Sequence, residues 1–322
     1  MAQWQKIISL LLIICFASGK QIKMEKQIDQ DTVVYYNNTH IVEEKNDTMG
    51  ALRFFYRNRL GKQLRCLINR RWLGQLVATY YNSSLSKSKI PSFIQDHNID
   101  LNEYKKSEID AYASFNDFFI RELKVGARSI DPSPSTITSP ADSKVLVIPD
   151  ISKDVPFFVK NHTFDLEKFL GDATLAKQFY GGTMMIFRLA PYDYHHFHFP
   201  VDCIPSTSIS INGLFESVNP IVYKEGIQPL TENERHLILL KTEKYDTIAM
   251  VPVGAMIVGK IIETYTPGQQ YKKGDDAGYF AFGGSTVVLL FKPNVMTPNN
   301  LFVQHSEQGI ETSIRVGEKI SE

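Results

Sequence analysis

A chain of 322 residues, 43% apolar and 22% charged, carries enough apolar side chain for one large core or two modest ones and is not a disordered tail. Its 35 basic and 35 acidic residues cancel, which removes the overall positive field on which a nucleic-acid binder relies. Any attraction to anions must be local.

Met1 to Gly19 carry Lys6, the apolar run Ile7 to Ala17 and then small residues, the three-part pattern of a secretory signal peptide. The run is short for a bilayer span. One Lys and no Arg set it apart from an amphipathic, Arg-rich mitochondrial transit peptide. The segment predicts entry into the secretory pathway, toward an endomembrane or secreted destination, with an uncleaved signal anchor as the alternative. Sequons at Asn37, Asn46, Asn82 and Asn161 are supporting signs of that route and of a glycoprotein. Cys15 lies in the leader, and Cys66 and Cys203 alone make neither a disulfide framework nor a metal-ligand spacing, so no metal is expected.

Residues 20–48 are polar and aperiodic and predict a flexible lead-in, with a single folded domain over 49–322. From Leu52 to Val77, apolar Tyr56, Leu60, Leu64, Leu67, Ile68, Trp72 and Leu76 recur at helical spacing. Seven Lys and Arg residues accompany them without one acidic residue. This basic amphipathic helix or helix pair, with a break expected near Gly61, has two readings. It lies on an anionic membrane, or it packs on the core with a solvated basic side. A second helical stretch is predicted around 102–123, stopped by Pro132 and Pro134. Beyond Ser139 come short β-rich runs at 144–148, 184–188, 207–211, 236–241, 247–253, 256–264 and 285–291, separated by Gly, Pro, Asn and Asp. The pattern predicts an α+β fold, with a helical N-terminal layer packed on a predominantly antiparallel β core.

Three of the eight histidines fall within Asp193-Tyr194-His195-His196-Phe197-His198. If this segment is extended, His196 and His198 share one face and His195 takes the other; a turn would let His195 and His198 converge. A zinc site fails for want of Cys or an HExxH pattern. Gly283-Gly284-Ser285-Thr286 leads straight into the apolar run Val287 to Phe291. Paired glycines there usually mark a tight turn, but Gly284 also leaves its carbonyl carbon open to the Ser285 hydroxyl. Ser139-Pro140-Ala141-Asp142 reads as a turn opening a strand. One Asp, one His and one Ser are also the ingredients for activating a hydroxyl nucleophile.

From about Leu52 to Pro293 the chain resembles the phosphatidylserine decarboxylases. The resemblance is carried by Ser114 to Arg128 (Ser-Phe-Asn-Asp-Phe-Phe-Ile-Arg-Glu-Leu-Lys-Val-Gly-Ala-Arg), Ser139 to Asp142, the histidine cluster and Ser217 to Pro220. It continues through Asn233 to Arg235, Val253 to Ala255, Lys273 to Phe280 and Gly283 to Thr286. The chain departs from the family at Ser143, commonly Gly, at Asp276, often Glu, and at Gly283, often Leu or Val.

The resemblance implies a proenzyme that cuts itself between Gly284 and Ser285. Asp142 would orient His198, the base on Ser285. The products would be a β subunit ending at Gly284 and an α subunit over 285–322, headed by a covalent pyruvoyl group derived from Ser285. It further implies decarboxylation of phosphatidylserine to phosphatidylethanolamine, with that group as the electron sink and His195 as proton donor to the α-carbon. A lipid substrate favours the membrane-facing reading of Leu52 to Val77, as a peripheral attachment; a homo-oligomer stays open. The alternatives are a non-cleaving lipid-binding pseudoenzyme of the same fold and a secreted serine hydrolase, which lacks its GxSxG elbow here.

Overall fold

The computed structural model describes residues 33–44, 49–68, 71–152, 164–255, 260–283 and 285–322. The leader 1–19, the sequons at Asn46 and Asn161, and Gly284 lie outside the described residues, as does the side chain of Cys66.

The expected polar lead-in needs correcting where it is described. Val34–Tyr36 and Ile41–Glu43 form two short strands, β1 and β2, paired antiparallel through an Asn37 turn in which Asn37 Oδ1 accepts the N–H groups of Thr39 and His40. The basic stretch becomes three helices, α1 (Met49–Arg57), α2 (Arg59–Ile68) and α3 (Arg71–Asn82). The first break falls at Asn58, whose Oδ1 accepts from Leu60 N–H at 2.9 Å, and not at Gly61. Gly61 serves close approach instead, because a Cβ there would meet the Phe54 carbonyl oxygen at 1.9 Å.

After α4 (Ile90–His97), the helix expected over 102–123 shrinks to α5 (Phe115–Phe119). Before it the chain makes two single 3₁₀ turns, and Ser114 caps α5 by accepting Asp117 N–H at 3.1 Å. The apolar residues of this region feed one aromatic cluster of Tyr81, Phe93, Tyr112, Phe115, Phe118 and Phe119.

The β core follows the sequence reading closely. Its elements are β3 (Ser143–Ile148), α6 (Leu166–Leu170), α7 (Ala173–Ala176), β4 (Thr183–Leu189), β5 (His196–His198), β6 (Ile204–Pro205) and β7 (Ile209–Ile211). Next come α8 (Pro220–Lys224), α9 (Pro229–Glu232), β8 (Arg235–Lys241), β9 (Thr247–Gly254), β10 (Ile261–Glu263) and β11 (Asp276–Phe280). The chain ends with β12 (Ser285–Phe291), α10 (Asn300–Glu307) and β13 (Glu311–Ile314).

Among the described residues a large sheet runs β2-β1-β13-β3-β4-β12-β9-β8-β6, with β7 on β8, and a small sheet runs β10-β11-β5. The β1·β13 pair is parallel and the others are antiparallel. β12 reads as an unbroken apolar run because both its faces are covered. Val287, Leu289 and Phe291 pack toward the small sheet and α10, while Val288 and Leu290 pack toward α6 and α7. Each of these fully buried side chains contributes about 1.5–3 kcal/mol. No described helix is long and apolar enough to cross a membrane.

Candidate active site

β4 delivers the chain to a tight turn at 190–193 that aims the histidine cluster. Asp193, largely but not wholly buried, accepts the Ala190 N–H at 2.7 Å and takes Lys144 Nζ on both carboxylate oxygens at 2.9 and 2.8 Å. Arg121 Nη2 donates to the carbonyls of Tyr192 and Asp193 at 2.8 and 3.0 Å. Burial pushes the Asp193 carboxyl up despite Lys144, so the lysine is what keeps a carboxylate tenable there.

Past the turn the segment is extended, and the alternation of side chains sends His195 one way and His196 and His198 the other. His196 Nδ1 meets Asp276 Oδ1 at 2.9 Å, with its Nε2 at the Ile120 carbonyl, 3.2 Å away. Asp276, shorter than the acidic residue often found there, still reaches its histidine and also accepts from Thr264 Oγ1 at 2.8 Å. His198 Nδ1 donates to the Gly274 carbonyl at 2.9 Å and its Nε2 faces the Tyr194 hydroxyl at 3.2 Å.

His195 points at the reacting residue. Its Nδ1 lies 3.0 Å from Ser285 Oγ, and its ring stacks on Phe119 with centroids 3.9 Å apart. Both His195 and Ser285 are 0% exposed, and His195 Nε2 has no hydrogen-bond partner. Ser285 opens β12 between Leu189 of β4 and Gly254 of β9. Just ahead of it Gly283 has φ 142°, a backbone conformation open to glycine and closed to the Leu or Val often found there.

Asp142 is locked from two sides. Arg128 donates to it from Nε at 3.1 and 3.0 Å and from Nη2 at 2.6 Å, and the Val316 N–H donates at 2.9 Å. Arg128 also pairs with Glu103 at 2.9 Å. Ser143 leaves this arrangement intact: it begins β3 in ordinary strand conformation and its Oγ donates to the Ala141 carbonyl at 3.2 Å.

The expected chain of bonds from Asp142 through His198 to Ser285 is therefore not the one in place. Asp142 is bonded to Arg128 and Val316, His198 to Tyr194 and Gly274, and His195 is the imidazole on Ser285. The two histidines also differ as bases. Burial is the largest effect and lowers both; at His195 the Arg121 cation adds to it against the carbonyls of Pro191 and Ala190, while at His198 the carboxylates of Asp276 and Asp142 and the Gly274 carbonyl oppose it. Arg121, Arg128, Asp193 and Tyr194 carry no motif logic of their own; Arg121 and Arg128 stand inside the stretch Ser114 to Arg128, where only their tertiary partners show what they do.

The chain matches the family model for phosphatidylserine decarboxylase over residues 115–322. It is 44% identical over 280 residues to the phosphatidylserine decarboxylase proenzyme of Fusobacterium nucleatum subsp. nucleatum, covering 87% of this chain and 93% of that protein. It is 40% identical over 271 residues to the proenzyme of the same name from Chlamydia caviae, covering 84% and 90%. The Chlamydia pneumoniae proenzyme is 38% identical over 271 residues, with 84% and 90% covered.

Proposed function

The chain belongs to the phosphatidylserine decarboxylase family, and from that membership we propose that it is a proenzyme that cuts itself between Gly284 and Ser285. It then decarboxylates phosphatidylserine to phosphatidylethanolamine and CO2. The observation that carries this reading is Ser285 itself, dry, at the head of a central strand, with its hydroxyl on an imidazole.

In the cut, Ser285 Oγ attacks the Gly284 carbonyl carbon, the peptide nitrogen leaves as the new amine, and an ester joins the two residues. Loss of the residue 285 α-proton then breaks its Cβ–Oγ bond and frees Gly284 as a carboxylate. Water replaces the nitrogen, which departs as ammonia. Asp142, His198 and Ser285 are proposed as the self-cleavage triad. His198 is favoured as the base because carboxylates beside it support a proton on its ring, where the Arg121 cation opposes one on His195. To act, His198 must leave its Tyr194 bond and the segment must turn so that its ring reaches Ser285 from the face now held by His195.

The residue left at 285 is a pyruvoyl group, which would take up the serine amine of the lipid at its ketone, with loss of water, and so supply a sink for the electron pair freed as CO2 leaves. The site suits such a group: it is dry, it is fixed by β4 and β9 on either side, and His195 Nε2 is uncommitted. His195, held by Phe119, is proposed to pass a proton to the carbon that loses the carboxylate.

The helices α1 to α3 are proposed to rest on an anionic membrane surface. Leu60, Leu64 and Leu76 are exposed on them among basic residues, a face suited to lipid headgroups. The leader is proposed to send the protein into the secretory pathway as a peripheral membrane enzyme, with Asn37 and Asn82 as candidate sites for sugar.

Intact mass spectrometry under denaturing conditions tests the cut: a fragment from residue 285 with pyruvoyl in place of serine, absent from Ser285→Ala, is expected. His198→Ala and Asp142→Ala are expected to stay whole, and His195→Ala to be cut yet release no CO2. An uncut His195→Ala beside a cut His198→Ala would make His195 the processing base and overturn the triad.

A further inference from the structure

The segment just ahead of the cleavage site sits in an aromatic cradle that none of these steps uses. Phe282, three residues before Ser285, stacks on Tyr81 with ring centroids 3.8 Å apart and meets Phe115 and Phe119 edge-on at 5.4 and 5.1 Å. Its N–H donates to Asn116 Oδ1 at 2.9 Å, and Asn116 donates onward to Asn82 Oδ1 at the end of α3, also at 2.9 Å. Phe119 belongs to both places, because it also stacks on His195. One side chain thus separates the cradle from the imidazole on Ser285.

Cleavage changes what this segment carries. Gly284 becomes a carboxylate two residues from Phe282, beside a residue that is 0% exposed. A carboxylate held in such a place without a partner is strongly disfavoured, because burial removes its water without replacing it. Of the buried cations around the cluster, Lys144 is engaged with Asp193 and Arg128 with Asp142 and Glu103, while Arg121 spends its terminal nitrogens on backbone carbonyls and keeps an unpartnered Nε on a guanidinium set against the rings of Tyr104 and Phe118. Phe282 is only partly buried in the cradle, so the new charge draws the terminus into water and Phe282 leaves with it.

We propose that the cradle of Tyr81, Phe115 and Phe119 is the subsite for the apolar, glycerol-proximal part of the lipid substrate. It is plugged by Phe282 in the uncut chain and opened by self-cleavage. The proposal rests on the phospholipid reading above. The vacated space matches an apolar ligand because an apolar ring fills it now, and its shared wall places that ligand's polar end beside His195 and residue 285. The chain on either side of Tyr81 exposes Leu76 and Leu85, the second by 74%, which gives a lipid apolar surface outside the cradle.

Two measurements test it. Soluble dihexanoyl phosphatidylserine is titrated by calorimetry into the uncut Ser285→Ala chain and into the Ser285→Ala, Phe282→Ala chain. Removing the plug is expected to tighten binding about tenfold or more, and Phe282→Leu, which refills the space, to return it toward the Ser285→Ala value. Phe282 is only partly buried, and equal melting midpoints confirm that the variants are folded. Equal affinity in all three chains overturns the proposal. The native, self-cut wild-type protein is also treated with a carboxypeptidase. Loss of Gly284, Gly283 and Phe282 from the β subunit is expected, and a β subunit that keeps its full mass overturns the ejection. Neither readout is CO2 release. Wild-type decarboxylation with either negative result removes the subsite and leaves the reaction standing, whereas absent decarboxylation counts against the reaction alone.

Discussion

Replacing Lys144 by Met isolates the device that aims the histidine cluster. In the folded chain Lys144 is 3% exposed and its ammonium lies 4.4 Å from the centre of the Tyr192 ring, with both Asp193 oxygens in reach. Methionine keeps most of the stem but leaves the Asp193 carboxylate buried with the Ala190 N–H as its remaining donor. Breaking a buried pair from one side costs about 3–5 kcal/mol. For a chain of 322 residues, at about 2.1 cal/mol/K per residue, that is a fall of about 4–7 °C in melting midpoint. The sign with pH follows from Asp193, whose carboxyl burial already raises and the substitution raises further. Its protonated form stabilises the fold fully below the ordinary carboxyl value of about 4, and that contribution is lost as pH rises through the folded value. Calorimetric scans of the uncut Ser285→Ala chain with and without Lys144→Met should therefore show a deficit that is large at pH 8 and shrinks toward pH 4. Adding Asp193→Asn should recover much of it by removing the stranded charge. A deficit below 2 °C, or one that does not change with pH, would refute the argument that this carboxylate depends on Lys144.

Arg128→Met leaves Asp142 with the Val316 N–H alone; self-cleavage followed by mass should slow by about 10²-fold, with partial rescue in Arg128→Lys, as expected for a residue that acts by positioning. Leu289→Ala, in the centre of β12, should cost about 2–5 kcal/mol in denaturant unfolding without stopping the cut, because it hollows the core and touches no reacting group. The neutral His195 favoured by burial stabilises the fold above pH ~6.5 and loses that contribution as pH falls toward its lowered folded value. Uncut His195→Asn should accordingly lose less stability than its parent between pH 7 and pH 5.

How far the sequence was legible depends on whether a residue's partner lies nearby in the chain. The strands β3, β4, β9 and β12 announce themselves because both faces are buried and their apolar runs are nearly unbroken. The strands β1 and β2 do not. They are three residues each, the partner of β1 lies at Glu311–Ile314, and the buried Glu44 that follows looks like a solvent residue until Arg188 is seen at 2.7 Å. The stretch 102–123 misled for another reason: its phenylalanines pack into a cluster with Tyr81 and Phe93 and not along one helix face. At the site, Asp142, His195, His198 and Ser285 were all legible from the motifs. Their partners were not, because Arg128, Tyr194 and Gly274 are brought to them by tertiary packing.

The proposed position of the cut would let a folded chain survive losing a peptide bond in its own core. Ser285 is the first residue of β12, so every ladder bond from Thr286 to Phe291 lies on one side of the break and stays with the α subunit. That subunit remains tied to the rest by β12 between β4 and β9, and by β13 against β1 and β3. Glu311 of β13 adds a buried pair with Arg188, which Glu44 joins from the N-terminal side. The residues freed by the cut would instead be those ahead of the strand, Gly283 with its φ of 142° among them. A cut further into β12 would divide its ladder between two chains; a cut at its first residue leaves the ladder whole.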